Sequence, residues 1–349
     1  MALDISRIKN IVFDLGGVIL NIDYHKTIEA FTALGIAALW LLGALLHSVA
    51  WTQPAGEPLR VSLIQGNIDQ LGKWRRNTRQ MTLDRYRRLT EPELGRDLIL
   101  WPETAIPAFL HQVQDDFIAP LAAQAEPAGS VLLVGVPVLD RQQRYYNAVV
   151  ALGRNMDAAE NQYRKRHLVP FGEYLPLAGL LRPVIDRIQI PMANFSPGAE
   201  TQPPLRVNQT GIVLGVCYED IFGAETARLA GDGGVLANVS NDAWFGDTAA
   251  PHQHHQMARM RALETRRPMI RASNTGLTGF IDPWGRMQGR LPLFEAGVLR
   301  GEVQPRTGDT PYMAWLDWPI VGIALAGLAV GILRLHRQLP NPTPWPSRL

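Results

Sequence analysis

The chain has 349 residues, 46% of them hydrophobic and 19% charged, which supplies a sizeable apolar core and excludes a chain that is mainly disordered. A formal net charge of +2 and a pI near 8.8, with arginines scattered rather than gathered into a stripe, argue against a nucleic-acid partner. Cys217 is the single cysteine, so an internal disulfide is excluded.

In chain order, Ile8 to Leu20 reads as a strand carrying Asp14 and ending in a glycine turn, followed by a polar helix with Lys26 and Glu29. This stretch resembles the first motif of the haloacid-dehalogenase-like phosphohydrolases, in which the aspartate at the Asp14 position attacks phosphate. That family's commonest pattern has a second aspartate two residues on, where Gly16 stands here. A lone strand forms no parallel sheet, so residues 1–35 are expected to be a fragment without phosphatase activity.

Leu34 to Trp51 and Trp318 to Leu333 are unusually apolar and approach the ~20 residues that cross a bilayer. Transmembrane helices are expected over 36–51, as an uncleaved anchor, and over 313–335, with Trp315 and Trp318 as an aromatic belt. Arg334, His336 and Arg337 after the second span, and Arg7, Lys9 and Lys26 before the first, mark the cytoplasmic side. Both termini, including the tail 336–349, are therefore expected inside, and the long middle segment outside.

Thr52 to Pro58, with its prolines and glycine, reads as a linker, and Leu59 to Asn67 as the first strand of a new domain. A basic helix is expected from Trp74 to Arg88, with Leu83, Tyr86 and Leu89 covering a sheet. Asp97 to Trp101, Ser130 to Val138, Asn147 to Leu152 and Gly211 to Leu214 read as strands, and Phe117 to Ala125 as helix. Leu236 to Gly246 is a strand leading to a polar turn, Met257 to Arg267 a basic helix, and Gly279 to Gly285 a hairpin turn. The alternation predicts an α/β or layered α-β-β-α domain over 59–303.

Three strand ends carry unlike reactive groups. Leu98 to Trp101 runs through Pro102 to Glu103, where apolar surroundings would raise a carboxyl toward base duty. Tyr163 to Glu173 supplies Lys165 and a second glutamate, and the strand 211–214 leads to Cys217. A thiol with a pKa of about 8.5 needs a base or a cation beside it to attack near neutral pH. Glu103 can take its proton, and Lys165 can hold the oxyanion of a tetrahedral intermediate. Singly, each also has a plain structural reading: Cys217 as a small buried hydrophobe, Glu103 beside a helix cap, Lys165 on a solvated basic face.

Taken together and in this order, Glu103, Lys165 and Cys217 resemble the Glu-Lys-Cys triad of the nitrilase superfamily. Trp-Pro-Glu-Thr at 101–104, Tyr-Arg-Lys-Arg-His-Leu-Val-Pro-Phe-Gly-Glu at 163–173 and Val-Cys-Tyr-Glu at 216–219 are similar, more narrowly, to the apolipoprotein N-acyltransferase family. The resemblance covers roughly residues 36–335. It implies a nitrilase-like four-layer α-β-β-α sandwich flanked by transmembrane helices, periplasmic at the bacterial inner membrane. It implies a phospholipid acyl donor, a cysteine thioester, and an apolipoprotein acceptor whose diacylglyceryl-cysteine amine receives the chain. It also implies supporting or substrate-binding roles for Trp74, Glu173, Tyr218 and Glu219. That family carries several membrane helices before its catalytic domain, where this chain has 36–51 preceded by the phosphohydrolase-like stretch.

His252, His254 and His255 tempt a zinc reading, but i, i+2, i+3 spacing does not gather three imidazoles on one helix face, although His252 and His255 could share one near the site. No metal and no cofactor is expected. Two further readings stay open: a membrane-tethered carbon-nitrogen hydrolase, in which water resolves the thioester, and a truncated chimera that folds but turns nothing over.

Overall fold

The computed structural model describes residues 10–15, 18–23, 36–70, 72–153, 156–174 and 195–338. The chain divides into two compact units, Met1–Trp51 and Thr52–Leu349. In the first, β1 (Asn10–Leu15) and β2 (Val18–Asp23) pair antiparallel, Leu15 facing Val18 and Asn10 facing Asp23. The strand expected to end just after Asp14 does so at Leu15, and a second strand follows from Val18. The predicted polar helix with Lys26 and Glu29 lies outside the described residues. Helix α1 (Ile36–His47) has 12 residues, about 18 Å at 1.5 Å per residue against a hydrocarbon core of ~30 Å.

The second unit is built on two six-stranded sheets of matching design. One has the order β15 (Gly297–Val303), β4 (Leu59–Gln65), β5 (Leu98–Leu100), β6 (Val131–Leu139), β7 (Tyr145–Leu152), β8 (Gln162–Arg164). The other has the order β14 (Met287–Arg290), β13 (Gly279–Ile281), β12 (Met269–Ser273), β11 (Val235–Ser240), β10 (Thr210–Val216), β9 (Leu205–Val207). In each, three central strands run parallel, β4-β5-β6 and β10-β11-β12, and antiparallel strands flank them. Parallel strands covered on both faces need continuous apolar runs, and Leu98–Leu100 and Val235–Ser240 are buried throughout.

The sheets face each other across one core that includes Val61, Leu63, Leu100 and Leu133 from the first, with Leu214, Val216, Ala237 and Ile270 from the second. Outside the first sheet lie α2 (Arg76–Thr90), α3 (Leu110–Val113), a π-turn over Gln114–Ile118, and α4 (Ala119–Ala128). They bring Leu83, Tyr86, Phe117 and Leu121 onto Ile99, Leu132 and Val134. Tyr86 stacks on Trp101 with ring centroids 4.7 Å apart. Outside the second sheet, α5 (Gly223–Ala230) and α6 (Ala250–Thr265) pack Ala230, Ala258 and Ala262 on Val213, Leu236 and Met269. The layer order is α-β-β-α, as the alternation and the resemblance predicted.

Two stretches depart from expectation. The predicted linker is anchored: β3 (Gln53–Pro54) pairs antiparallel with β16 (Arg306–Thr307), and Arg306 Nε donates to Thr52 Oγ1 at 2.8 Å. The predicted 313–335 span is divided into α7 (Pro311–Trp315) and α8 (Trp318–Gln338), parted at Leu316, whose φ is 51°. Among the described residues no helix is long and apolar enough to cross a membrane.

Candidate active site

Cys217 follows directly on β10 and opens a short 3-10 turn, Cys217–Ile221. Its φ of 55° is unusual for a residue with a side chain, and the surrounding hydrogen bonds account for it. The Cys217 carbonyl accepts from Asn238 Nδ2 at 3.0 Å and lies 2.9 Å from His254 Nε2. Just behind it, the Val216 N–H donates to Glu219 Oε2 at 2.7 Å. Glu219 also accepts from the Tyr163 hydroxyl at 3.0 Å and from the Arg166 and His167 N–H groups at 2.7 and 3.1 Å. One buried carboxylate therefore fastens the cysteine turn to the segment that carries Lys165. Cys217 as a residue is half-buried.

Glu103 reaches the same place from the first sheet. β5 ends at Leu100, and the chain then crosses β6 at Gly135, where a Cβ would stand 2.1 Å from the Pro102 carbonyl oxygen and 2.9 Å from the Glu103 Cα. Only glycine permits that approach. Lys165 follows β8 and is 1% exposed, its Nζ 3.3 Å from Glu103 Oε1 and 2.9 Å from Glu173 Oε2. Asn147 Nδ2 donates to both carboxylates, at 2.7 Å to Glu103 and 2.9 Å to Glu173. The Asn241 N–H caps Glu103 Oε2 at 3.0 Å, and the Val169 N–H holds Glu173 Oε2 at 2.8 Å. Tyr218 lies with its ring centroid 5.7 Å from Lys165 Nζ, and its hydroxyl donates to the Leu168 carbonyl at 2.9 Å.

Electrostatics give these groups unlike states. Burial works against the Lys165 ammonium, but the Glu103 and Glu173 carboxylates outweigh it and hold the group protonated above the ordinary lysine range. Burial pushes the Cys217 thiol well above its usual value, Glu103 adds to the rise, and Lys165 opposes it. The resting site is thus a neutral thiol beside an ionised lysine. A neutral thiol must lose its proton before or as its sulfur forms a new bond.

The structure brings together Glu103, Lys165, Glu173, Tyr218 and Cys217, and places Glu219 beneath them as a clasp. Trp74 is 41% exposed ahead of α2, and among the described residues no hydrogen bond or ring contact ties it to the triad. Of the two histidines three apart on α6, His252 is exposed and His255 buried. His254, 7% exposed, bridges Asp242 Oδ1 at 2.9 Å and the Cys217 carbonyl. Behind it Arg271 reaches Asp220 at 3.2 Å, Asn238 Oδ1 at 2.7 Å and Asp242 at 3.1 Å. Burial alone would raise Asp242, but Arg271 and His254 overcome it and keep the carboxyl well below its usual range. Among the described residues no cluster of His, Cys, Asp and Glu is arranged to hold a metal ion. Asn147, Asn238 and Arg271 were missed, though each is a polar residue inside an apolar strand, and such a residue requires a buried partner.

The comparisons agree with this geometry. Two relatives named apolipoprotein N-acyltransferase cover 88% of the chain: that of Methylococcus capsulatus at 49% identity over 309 residues, and that of Pseudomonas aeruginosa at 44% over 313. The chain spans 60% of the length of each. Among solved structures, the Caenorhabditis elegans NitFhit protein matches with a TM-score of 0.56 at 17% identity, covering 77% of this chain and 65% of that one. XC1258 from Xanthomonas campestris, described as a CN-hydrolase superfamily protein, matches with a TM-score of 0.54 at 19% identity, covering 76% of this chain and 96% of that one. These two likenesses concern the fold. The carbon-nitrogen hydrolase pattern matches residues 60–312, from β4 into α7, and with the sandwich and this match in hand, the chain belongs to the carbon-nitrogen hydrolase family.

Proposed function

We propose that the chain is an N-acyltransferase that moves a fatty acyl chain from a phospholipid, through a thioester on Cys217, to the N-terminal diacylglyceryl-cysteine of an apolipoprotein. The observation that carries the reading is a partly accessible cysteine on left-handed backbone beside the buried Glu103–Lys165–Glu173 cluster. The names of the relatives supply the acceptor class.

In the first half-reaction the Cys217 sulfur attacks the ester carbonyl carbon while Glu103 takes the thiol proton. Lys165 stabilises the oxyanion. The C–O bond then breaks, Glu103 returns the proton to the leaving glycerol oxygen, and a lysophospholipid departs. In the second, the acceptor α-amine attacks the thioester and Glu103 takes a proton from the nitrogen. The C–S bond breaks and the sulfur recovers that proton. The net change is one ester exchanged for one amide.

We place the reaction at the bacterial inner membrane, with the catalytic unit periplasmic and both termini cytoplasmic. What supports membrane contact is apolar exposure. Leu41, Leu42 and Leu45 of α1 are exposed. So are Ile320, Ile323, Leu325, Leu328, Val330 and Leu333, which turn around every side of α8. A helix that is apolar all round requires a surrounding other than water, and we read both helices as bilayer anchors. Phe171, Trp244 and Phe245 are also exposed, within four residues of Glu173 or Asp242, and offer apolar contact for acyl chains. The hairpin β1–β2 is read as a fragment without phosphatase activity.

The test is the acyl-enzyme. Full-length protein purified in detergent and given phospholipid without acceptor should gain the mass of one fatty acyl group on Cys217. Neutral hydroxylamine should release it, and a diacylated lipopeptide with a free α-amine should clear it. If water clears it equally fast, the tethered-hydrolase reading, which the family match favours, replaces this one. If no adduct forms on a protein that melts cooperatively, the non-catalytic reading stands.

A further inference from the structure

The segment between β4 and α2 carries a lysine for which the reaction above has no use. Lys73 is 1% exposed, and its Nζ has no hydrogen-bond partner among the described residues. A buried ammonium ordinarily has an anion or a carbonyl beside it, because its hydration has been removed. Lys165 is clasped by two carboxylates; among the described residues Lys73 is clasped by none. On its own segment, Asp69 is turned to the Gly72 N–H at 2.8 Å.

The segment is nevertheless tied to the reacting groups. Gln70 Oε1 accepts from Asn241 Nδ2 at 2.7 Å, and the Asn241 N–H donates to Glu103. Asn274 clamps Ile68 from the second sheet through its N–H at 2.9 Å and its carbonyl at 2.8 Å. Glu103 is also the charge that acts on Lys73: burial lowers the amine to about 8, and Glu103 resists the fall. The ammonium therefore persists near neutral pH, buried, unpaired and within electrostatic reach of the base.

We propose that Lys73 recognises the phosphate diester of the acyl donor, so that the ammonium left unpaired in the free protein is paired by the substrate. The inference rests on the acyl-transfer reading. Its chemical logic is spacing: in a glycerophospholipid only the glycerol unit separates the reacting ester from the phosphate. A cation close to the group that serves the ester is therefore within range of that phosphate. Lys165 already gives two of its three N–H donors to carboxylates. Lys73 has all of its own to give.

The experiment compares acyl-enzyme formation on the full chain from phosphatidylethanolamine and from the matching neutral diacylglycerol, followed by intact mass. Wild type should react faster with the phospholipid. Lys73→Met should lose at least about tenfold with the phospholipid, the scale of one charge-assisted hydrogen bond, and change little with diacylglycerol; Lys73→Arg should recover much of the preference. Equal losses with both donors would assign Lys73 to the oxyanion or to the fold and overturn the inference, as would no loss with either. Should Lys73→Met fail to melt cooperatively, Lys73→Gln is scored the same way. Wild type forming no adduct with either donor would instead overturn the acyl-transfer reading itself.

Discussion

Lys165 and Arg271 are each a buried cation flanked by two carboxylates, Glu103 with Glu173 in one case and Asp220 with Asp242 in the other. Both clusters border Cys217, yet they meet different parts of it. The side chains of Arg271 and Asp242 are 0% exposed, and their path to the cysteine runs through Asn238 and His254 to its carbonyl oxygen. The carboxylates around Lys165 retain 8% and 14% exposure. A planar guanidinium with its fork filled is a fixture, whereas an ammonium on a flexible stem can turn a donor to an oxygen that appears only during reaction. The same charge count thus builds a closed scaffold on one side of Cys217 and, on the proposed acyl-transfer reading, a reactive centre on the other.

The largest effects should come from the reactive side. Cys217→Ala and Glu103→Gln should each abolish acyl-enzyme formation while thermal melting remains cooperative, since they remove the nucleophile and its base. Appreciable adduct on Cys217→Ala would end the triad assignment. On the scaffold side, Arg271→Met leaves Asp220 and Asp242 without their cation and should cost about 3–5 kcal/mol of stability, as breaking a buried ion pair does. Chemical denaturation measures it, and an unshifted midpoint would deny Arg271 its structural role. Lys165→Met should lower the acylation rate about 100-fold or more, with a smaller loss of stability than Arg271→Met.

A subtler contrast concerns pH. Burial and Glu103 both raise the Cys217 thiol, and Lys165 opposes them. Alkylation of wild-type protein should therefore climb only above the ordinary thiol value of about 8.5. Glu103→Gln removes one of the raising charges and leaves the lysine, so its alkylation profile should move to lower pH even as acyl transfer is lost. A move to higher pH would mean that Glu103 does not face the sulfur. The smallest effect belongs to Asp14→Asn, which should change neither acylation nor any phosphatase rate; loss of a measurable phosphatase would revive the first motif.

The reactive side was legible in sequence because its members stand where apolar strands run out: Glu103 after Leu98–Trp101, Cys217 after Gly211–Val216. Such a boundary shows in one dimension. The scaffold side was not legible, because Asn238, Arg271 and His254 meet across three elements and nothing local couples them. The same holds for Gly135, whose value lies in a chain crossing more than thirty positions upstream. The end of a helix is similarly hard to read: the apolar run continues to Trp51, while α1 stops at His47.

The pairing of β15 with β4 joins Leu59 to Val303 and Gln65 to Gly297, residue for residue along both strands. A ribosome delivers β4 more than two hundred residues before β15. Throughout synthesis one side of the first sheet therefore stands open, with seven residues of strand awaiting a partner. Contacts so distant in sequence form slowly and leave an unpaired edge vulnerable to the wrong neighbour. A nascent chain halted before Gly297 should consequently be a client for chaperones, and the arrival of β15 is what releases it.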